Sequence, residues 1–506
     1  MKRAALLFLL ASVPPVAAEP PAPFALRDGD RVVFYGDSIT QDGGYARLAE
    51  GYVRTRFPRW DVRFYNAGVG GDTVKGGWAG PADLRLERDV IALEPTVVTI
   101  MLGMNDGGYK PFDPQTLAAF SEGYRAIVAK LRQARPGVRL TFIRSSPFDD
   151  VARPPQFAPG YDDALRRLGC YVATLGAKEK ATVVDFREPV NAGVAAVLKD
   201  NPDLARQVLP DRVHPGPAGH VVMGAALLRA WNAPPLVTRV AIDAASKAVV
   251  AAEGSEVSGL AATDGGLAWT QADRALPLPL GFEDGEAELA QRAGADLESL
   301  DQQPLVVTGL ASGRFELKID GQSIGTFTDA ELAKGVNLAR FNTPMRWQAF
   351  SVRWSVGGGH EAQRVRRELL VAAAKDPSLK AAAEALARRD EAEQRQRSVD
   401  ATPKPRRYEL IRHSSNPGGP GGRISRSRPF STFPMAFRGS ASTRTNARGT
   451  LKDAICRRQA ASSAAGSASP AKHATSTSPR RSSGTPSTAA SRTPACSRRT
   501  ASTSRG

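Results

Sequence analysis

The sequence predicts an α/β protein: a three-layer α/β/α domain on a parallel sheet, then a smaller α+β accessory region and a disordered tail. Three observations carry that expectation. Between Arg31 and Trp231, short apolar runs alternate with helical patterns, as strand–helix repeats do. The runs are apolar nearly throughout, which suits strands covered on both faces. After Arg407 the apolar periodicity stops, and the chain becomes rich in Ser, Thr and Arg with almost no acids.

Each element follows in turn. Lys2-Arg3 precede an apolar stretch, Ala4 to Val13, and a small-residue site at Val16-Ala17-Ala18. That is the layout of a secretory signal peptide over residues 1–18, cut after Ala18, and the apolar run is short of the roughly 20 residues that span a bilayer. A secreted or periplasmic protein with no stable membrane anchor is expected. Strands are expected at Val32–Tyr35, Val62–Tyr65, Thr96–Leu102, Val138–Arg144 and Thr182–Phe186, and a helix at Tyr124–Arg135 halted by Pro136-Gly137. Pro234-Pro235 close the first domain, placing it at 19–235.

From 236 to 400 the pattern is that of the accessory α+β region. Leu236–Asp243 alternates, and Arg314–Thr328 reads as a hairpin turning at Asp320-Gly321. Thr328 and Glu331 have capping-box spacing, and 361–397 is helical with a break at Asp376-Pro377. His360, beside Glu361 after a glycine run, reads as loop. The region holds no nucleophile–base pair, so a structural or substrate-positioning role is expected. Residues 401–506 are expected to be a disordered basic tail. An Arg/Ser/Thr-rich, acid-poor mixture is also what a GC-rich gene yields when read out of frame, and removal of 408–506 is expected to leave fold and activity nearly unchanged.

Charge narrows the function classes. The net charge is +17, from 68 basic and 51 acidic residues. Residues 401–506 hold 20 of those bases and 2 of those acids, which leaves 48 and 49 for 1–400. The folded part is therefore close to neutral, and binding of nucleic acid through the folded domains is excluded. Of three cysteines only Cys170 precedes the tail, so there is no disulfide framework. No His, Cys and carboxylate set has metal-ligand spacing, and Gly70-Gly71 lacks the rest of a phosphate-cradling motif. No metal and no other cofactor is expected.

The chemistry sits in four segments. Gly36-Asp37-Ser38-Ile39-Thr40 follows the first strand on a tight turn, where open α/β sheets place their sites. Asn66 to Thr73, with Gly71, follows the second strand, and Gly103-Met104-Asn105-Asp106 follows the third. Asp211-Arg212-Val213-His214-Pro215 directly precedes the last helix of the domain. Acyl transfer needs a nucleophile, a base and a carboxylate to hold the imidazole, and Asp211 and His214 are close enough in one loop to meet. Asp37 is expected to brace its loop, Asp72 and Asp106 to act as loop or helix-start caps, and His220 to be a packing or surface residue.

These blocks resemble the GDSL/SGNH hydrolase (esterase/lipase) family, in its order, over roughly Arg31 to Trp231; the one departure is Ile39 where the family name has Leu. The resemblance implies an SGNH-type hydrolase domain with Ser38 as nucleophile, His214 as general base and Asp211 as its orienter. It implies an oxyanion hole of the Ser38 and Gly71 backbone N–H groups and the Asn105 side-chain amide. Trp78 and Tyr109 fall near the mouth, where aromatics stack on a sugar ring or simply pack the rim. By resemblance the expected reaction is removal of O-acetyl groups from carbohydrates, with a small-molecule or glycan ester as the partner. The alternatives are a general short-chain esterase or lysophospholipase-like hydrolase, and a non-catalytic carbohydrate-binding protein on the same fold. The natural ester, its acyl length and the oligomeric state are not legible in the sequence.

Overall fold

A computed structural model gives the protein's structure over residues 22–281 and 285–413. The expected signal peptide and the chain beyond 413 lie outside the described residues. In β1 (Arg31–Gly36), Val32 and Phe34 enter one core while Val33 and Tyr35 enter another. A strand buried on both faces has no polar side to show, which is why its sequence does not alternate. α1 (Ser38–Asp42) and α2 (Gly44–Arg56) come next, parted by Gly43 at φ +73°. They lead to β2 (Arg63–Gly68), a tiny hairpin of β3 (Gly76–Gly77) and β4 (Gly80–Pro81), and α3 (Ala82–Asp89). Then come β5 (Val97–Met101), α4 (Pro114–Ala134), β6 (Arg139–Arg144), α5 (Tyr161–Lys178) and β7 (Thr182–Asp185). α6 (Arg187–Leu198), α7 (Pro202–Val208) and α8 (Pro217–Ala230) complete this part.

The five long strands form one parallel sheet in the order β2-β1-β5-β6-β7. Tyr45 and Leu48 of α2, Val190 of α6 and Val221 of α8 cover one face. Leu86 of α3, Phe120 and Tyr124 of α4 and Leu168 of α5 cover the other. This is the expected three-layer α/β arrangement. α4 begins at Pro114, well before the expected start, with Asp113 capping it. Between Pro114 and Phe120 its only apolar side chain larger than Ala is the half-buried Leu117, too little for a periodicity to read.

Beyond Pro234-Pro235 lie β8 (Arg239–Asp243), β9 (Ala248–Glu253), β10 (Ser255–Thr263), β11 (Gly266–Asp273) and α9 (Glu286–Arg292). β12 (Pro304–Thr308), β13 (Arg314–Ile319), β14 (Gln322–Thr328), α10 (Asp329–Lys334) and β15 (Val336–Asn337) follow. The described chain ends in α11 (Pro344–Ala372), α12 (Leu379–Asp400) and β16 (Arg406–Arg412). Two sheets result, β15-β12-β8-β9 and β10-β11-β16-β13-β14. The β13–β14 hairpin turns at Asp320 and Gly321, both at positive φ, and Thr328 and Glu331 form a reciprocal capping box.

Two expectations need correction. The disordered tail was expected from 401, yet β16 pairs on both sides, with β11 and with β13, and fills the centre of its sheet. Tyr408 and Leu410 point into the core between outward Arg407 and Glu409, and Tyr408 stacks on Trp269 at 5.2 Å. Its alternation is short and sits beside an Arg-rich stretch that hides it. The glycine run before His360 is not loop either. Gly357, Gly358 and Gly359 lie inside α11, and any Cβ on Gly359 would collide with the Arg397 guanidinium of α12. Glycine there permits helix–helix approach, against a propensity cost of about 1 kcal/mol. Among the described residues no helix is long and apolar enough to cross a membrane. The described residues fall within one compact unit.

Candidate active site

The first, second and third motif segments leave the carboxyl ends of β1, β2 and β5, which are neighbours in the sheet. At the end of β1, a Cβ on Gly36 would strike Thr40 and the Met101 carbonyl, so only glycine fits. Asp37 then caps α1, accepting from the Ile39 N–H at 3.0 Å, and Ser38 opens that helix. Asp37 is fully buried. Burial pushes its carboxyl up to about 7, with Asp106 adding to the rise while the Ile39 N–H and His214 oppose it.

The loop after β2 turns at Gly71, where φ is +76°. Gln41 Oε1 accepts from the Gly70 N–H at 2.8 Å and so joins this loop to α1. Among the described residues no acceptor meets the backbone N–H of Ser38 or of Gly71. Asp72 is no cap, contrary to expectation: it is buried and ion-paired with Arg85 of α3 at 2.8 Å. Arg85 also donates to the Ala67 carbonyl at 2.8 Å, so α3 pins both the loop and the end of β2 that leads into it.

Asn105 comes from the loop after β5. Its Nδ2 donates to the Asp72 carbonyl at 3.0 Å, and its Oδ1 accepts from the Tyr109 hydroxyl at 3.2 Å. Both ends of the amide are thereby held, with one N–H left over. Asp106 accepts from the Val74 N–H at 2.9 Å and ties the second and third segments together. Burial pushes its carboxyl up to about 6 against the N–H groups of Val74, Gly103 and its own residue.

The fourth segment closes the site. Asp211 Oδ1 accepts from the Val213 N–H at 3.0 Å and the His214 N–H at 2.7 Å. Its Oδ2 lies 2.7 Å from His214 Nδ1, and His214 Nε2 lies 2.9 Å from Ser38 Oγ. Partial burial raises the Asp211 pKa, but the hydrogen bonds from the His214 backbone, the His214 ring and Val213 outweigh it and hold the carboxyl below its ordinary range. Arg212 sits at φ +74° and donates to the Asp149 and Pro154 carbonyls at 3.3 and 3.1 Å, anchoring the turn. The imidazole side chain is 47% exposed, so the row of three opens to solvent.

Trp78 stands at the tip of the β3–β4 hairpin, 60% exposed, its indole N–H donating to the Gly70 carbonyl at 3.0 Å. Tyr109 is also exposed, and packs on Tyr161 at 4.9 Å. His220 is buried, 2.6 Å from an Asp42 carboxylate oxygen, and faces α2 rather than Ser38. Sequence reasoning missed Gln41, Asn66, Arg85 and Arg212, which hold the loops. Only Asn66, at the head of the second segment, and Arg212, between Asp211 and His214, lay in segments already singled out by their chemistry.

The GDSL-like Lipase/Acylhydrolase family matches residues 34–222, a span containing all four segments. Residues 34–222 are a GDSL-like lipase/acylhydrolase domain. The protein is a hydrolase of carboxylic esters. An acetylxylan esterase of Geobacillus stearothermophilus is 29% identical to this GDSL-like hydrolase over 224 residues, which is 40% of this chain and 93% of that one. A solved structure described as a gut microbial diltiazem-metabolizing enzyme matches with a TM-score of 0.68 and 25% identity, covering 77% of this chain and 98% of that chain. That match extends past the GDSL-like domain, so the likeness includes much of the accessory region. Among the described residues no group of three or more His, Cys, Asp or Glu side chains could hold a metal ion.

Proposed function

We propose that the protein is an exported serine esterase that removes O-acetyl groups from carbohydrates through an acyl-enzyme. The observation that carries the reading is the unbroken hydrogen-bonded row from Asp211 through His214 to Ser38. Ser38 Oγ attacks the ester carbonyl as His214 Nε2 takes its proton, and Asp211 holds the ring with Nδ1–H toward itself. The developing oxyanion lies against the Ser38 and Gly71 N–H groups and the remaining Asn105 N–H, donors with no other demand on them. Collapse breaks the bond to the alcohol oxygen, which leaves with the proton from His214. Water, deprotonated by the same ring, then attacks the acyl-Ser38 carbonyl, releasing acetate and returning the proton to Ser38 Oγ.

The choice of a carbohydrate acetyl ester is supported by similarity to the acetylxylan esterase and by Trp78 and Tyr109, two exposed aromatics flanking the oxyanion donors. Export rests on the sequence of residues 1–18. A general short-chain esterase uses the same row of residues, whereas a purely binding protein has no need of it. The test compares acetate release from acetylated xylooligosaccharides and from p-nitrophenyl acetate, for the wild type and Ser38→Ala. Loss of at least about 10³-fold in kcat in Ser38→Ala is expected on both substrates. Equal rates in the two proteins would sink the enzyme reading, and activity on the nitrophenyl ester alone would favour the short-chain esterase.

A further inference from the structure

β2 is an edge strand, and the outward backbone groups of such a strand ordinarily stand open to another strand. Here side chains of α11 and α12 satisfy them. Gln394 accepts from the Phe64 N–H at 3.0 Å and donates to the Phe64 carbonyl at 3.2 Å. Gln363 accepts from the Asn66 N–H at 2.8 Å and donates to the Phe64 carbonyl at 2.9 Å. Arg367 donates to the Asn66 carbonyl at 2.8 Å. Asp390 accepts from both glutamine amides, at 2.7 and 3.0 Å, and all four side chains are buried. Two helices thus stand in for a sixth strand, up to and including Asn66, the first residue of the segment that carries Gly71.

Asn66 passes this anchoring on to the site. Its Nδ2 donates to the Thr40 carbonyl at 2.6 Å, in the helix that Ser38 opens, and its Oδ1 accepts from the Gly68 N–H at 2.9 Å. The same amide lies 3.4 Å from His360 Nδ1, and His360 Nε2 lies 2.9 Å from Glu50. We propose that Gln363 and Arg367 of α11, with His360 beside them, are positioning residues for ester hydrolysis: by locking Asn66 they set the Gly71 loop against α1, and hence the spacing of the oxyanion donors. This rests on the roles given above to Ser38 and Gly71. Misplacing one such donor forfeits part of the 10²–10³-fold that a donor supplies.

The test uses the full chain and the acetyl ester above. Gln363→Ala and Arg367→Ala are expected to fold and to lower kcat by about tenfold or more at little-changed KM. Arg367→Lys keeps a donor and is expected to recover most of that loss. Arg353→Ala is the control. It breaks an ion pair with Glu286 at 2.6 Å, elsewhere on α11, and is expected to lower Tm without lowering kcat. If Gln363→Ala does not fold, the Arg367 pair carries the comparison. Wild-type kcat in a folded Arg367→Ala, or an equal loss of kcat in Arg353→Ala, overturns the proposal. Full activity in Ser38→Ala removes the underlying reading instead, and is seen without any α11 variant.

Discussion

Asp37 caps α1 through Oδ1, while its buried Oδ2 meets no hydrogen-bond donor among the described residues. The folded protein therefore keeps a proton on this carboxyl up to about pH 7, whereas the unfolded chain releases it near the ordinary carboxylate value of about 4. Between those limits the native state binds more protons, so the residue's contribution to stability falls as pH rises through that window and is constant below it. Asp37→Asn has no such proton to lose. The stability of Asp37→Asn relative to wild type is expected to improve by roughly 3–4 kcal/mol between pH 4 and pH 7. Urea unfolding across that range checks this, and a constant difference between the two proteins would refute it. The Asp211–His214–Ser38 row, by contrast, lies at the surface, its imidazole and carboxylate both about half exposed.

At the scale of the element, β16 alters the expectation for truncation. Cutting at 408 removes most of a strand paired on both edges, whereas cutting after 413 removes nothing described. Tyr408 is fully buried against Trp269, and Tyr408→Ala is expected to cost about 3–5 kcal/mol, the range for a large core aromatic. Chemical denaturation of Tyr408→Ala beside a chain ending at 413 measures both. A loss below 1 kcal/mol in the variant would mean that β16 is dispensable. α11 teaches the same lesson about helices. Its charge-laced second half was legible as helix, but the first half begins at Pro344 and runs through three glycines that low propensity assigns to loop. Packing against α12 and α2 outweighs that propensity.

Across the whole molecule, the GDSL-like domain and the accessory region share buried polar contacts. Arg54 reaches Glu50 at 2.7 Å and the Gln394 side chain at 3.1 Å, Arg56 pairs with Asp301 at 3.3 Å, and the Leu276 N–H donates to the Thr55 carbonyl at 2.9 Å. Separating the two parts would leave these charges buried and unpaired or force them into water, and the β2 edge would open as well. Residues 22–413 are therefore expected to unfold in one cooperative transition by calorimetry. A separate melt of the accessory region would contradict this. The parallel sheet and the four motif segments were readable from the sequence because each is local: a doubly buried strand is apolar throughout, and Asp211 and His214 are near neighbours in one loop. The Asn66–Gln363, Glu50–His360 and Asp72–Arg85 pairs were not. Hydrogen bonds made by side chains to groups elsewhere in the sequence leave no periodicity, and glutamines and arginines read as solvated surface until the fold buries them. What the sequence by itself determined is the chemistry and the sheet that presents it. Tertiary structure alone decided what holds that chemistry in register, since the open edge of β2 exists only once the sheet has formed and only side chains brought from far along the chain can satisfy it.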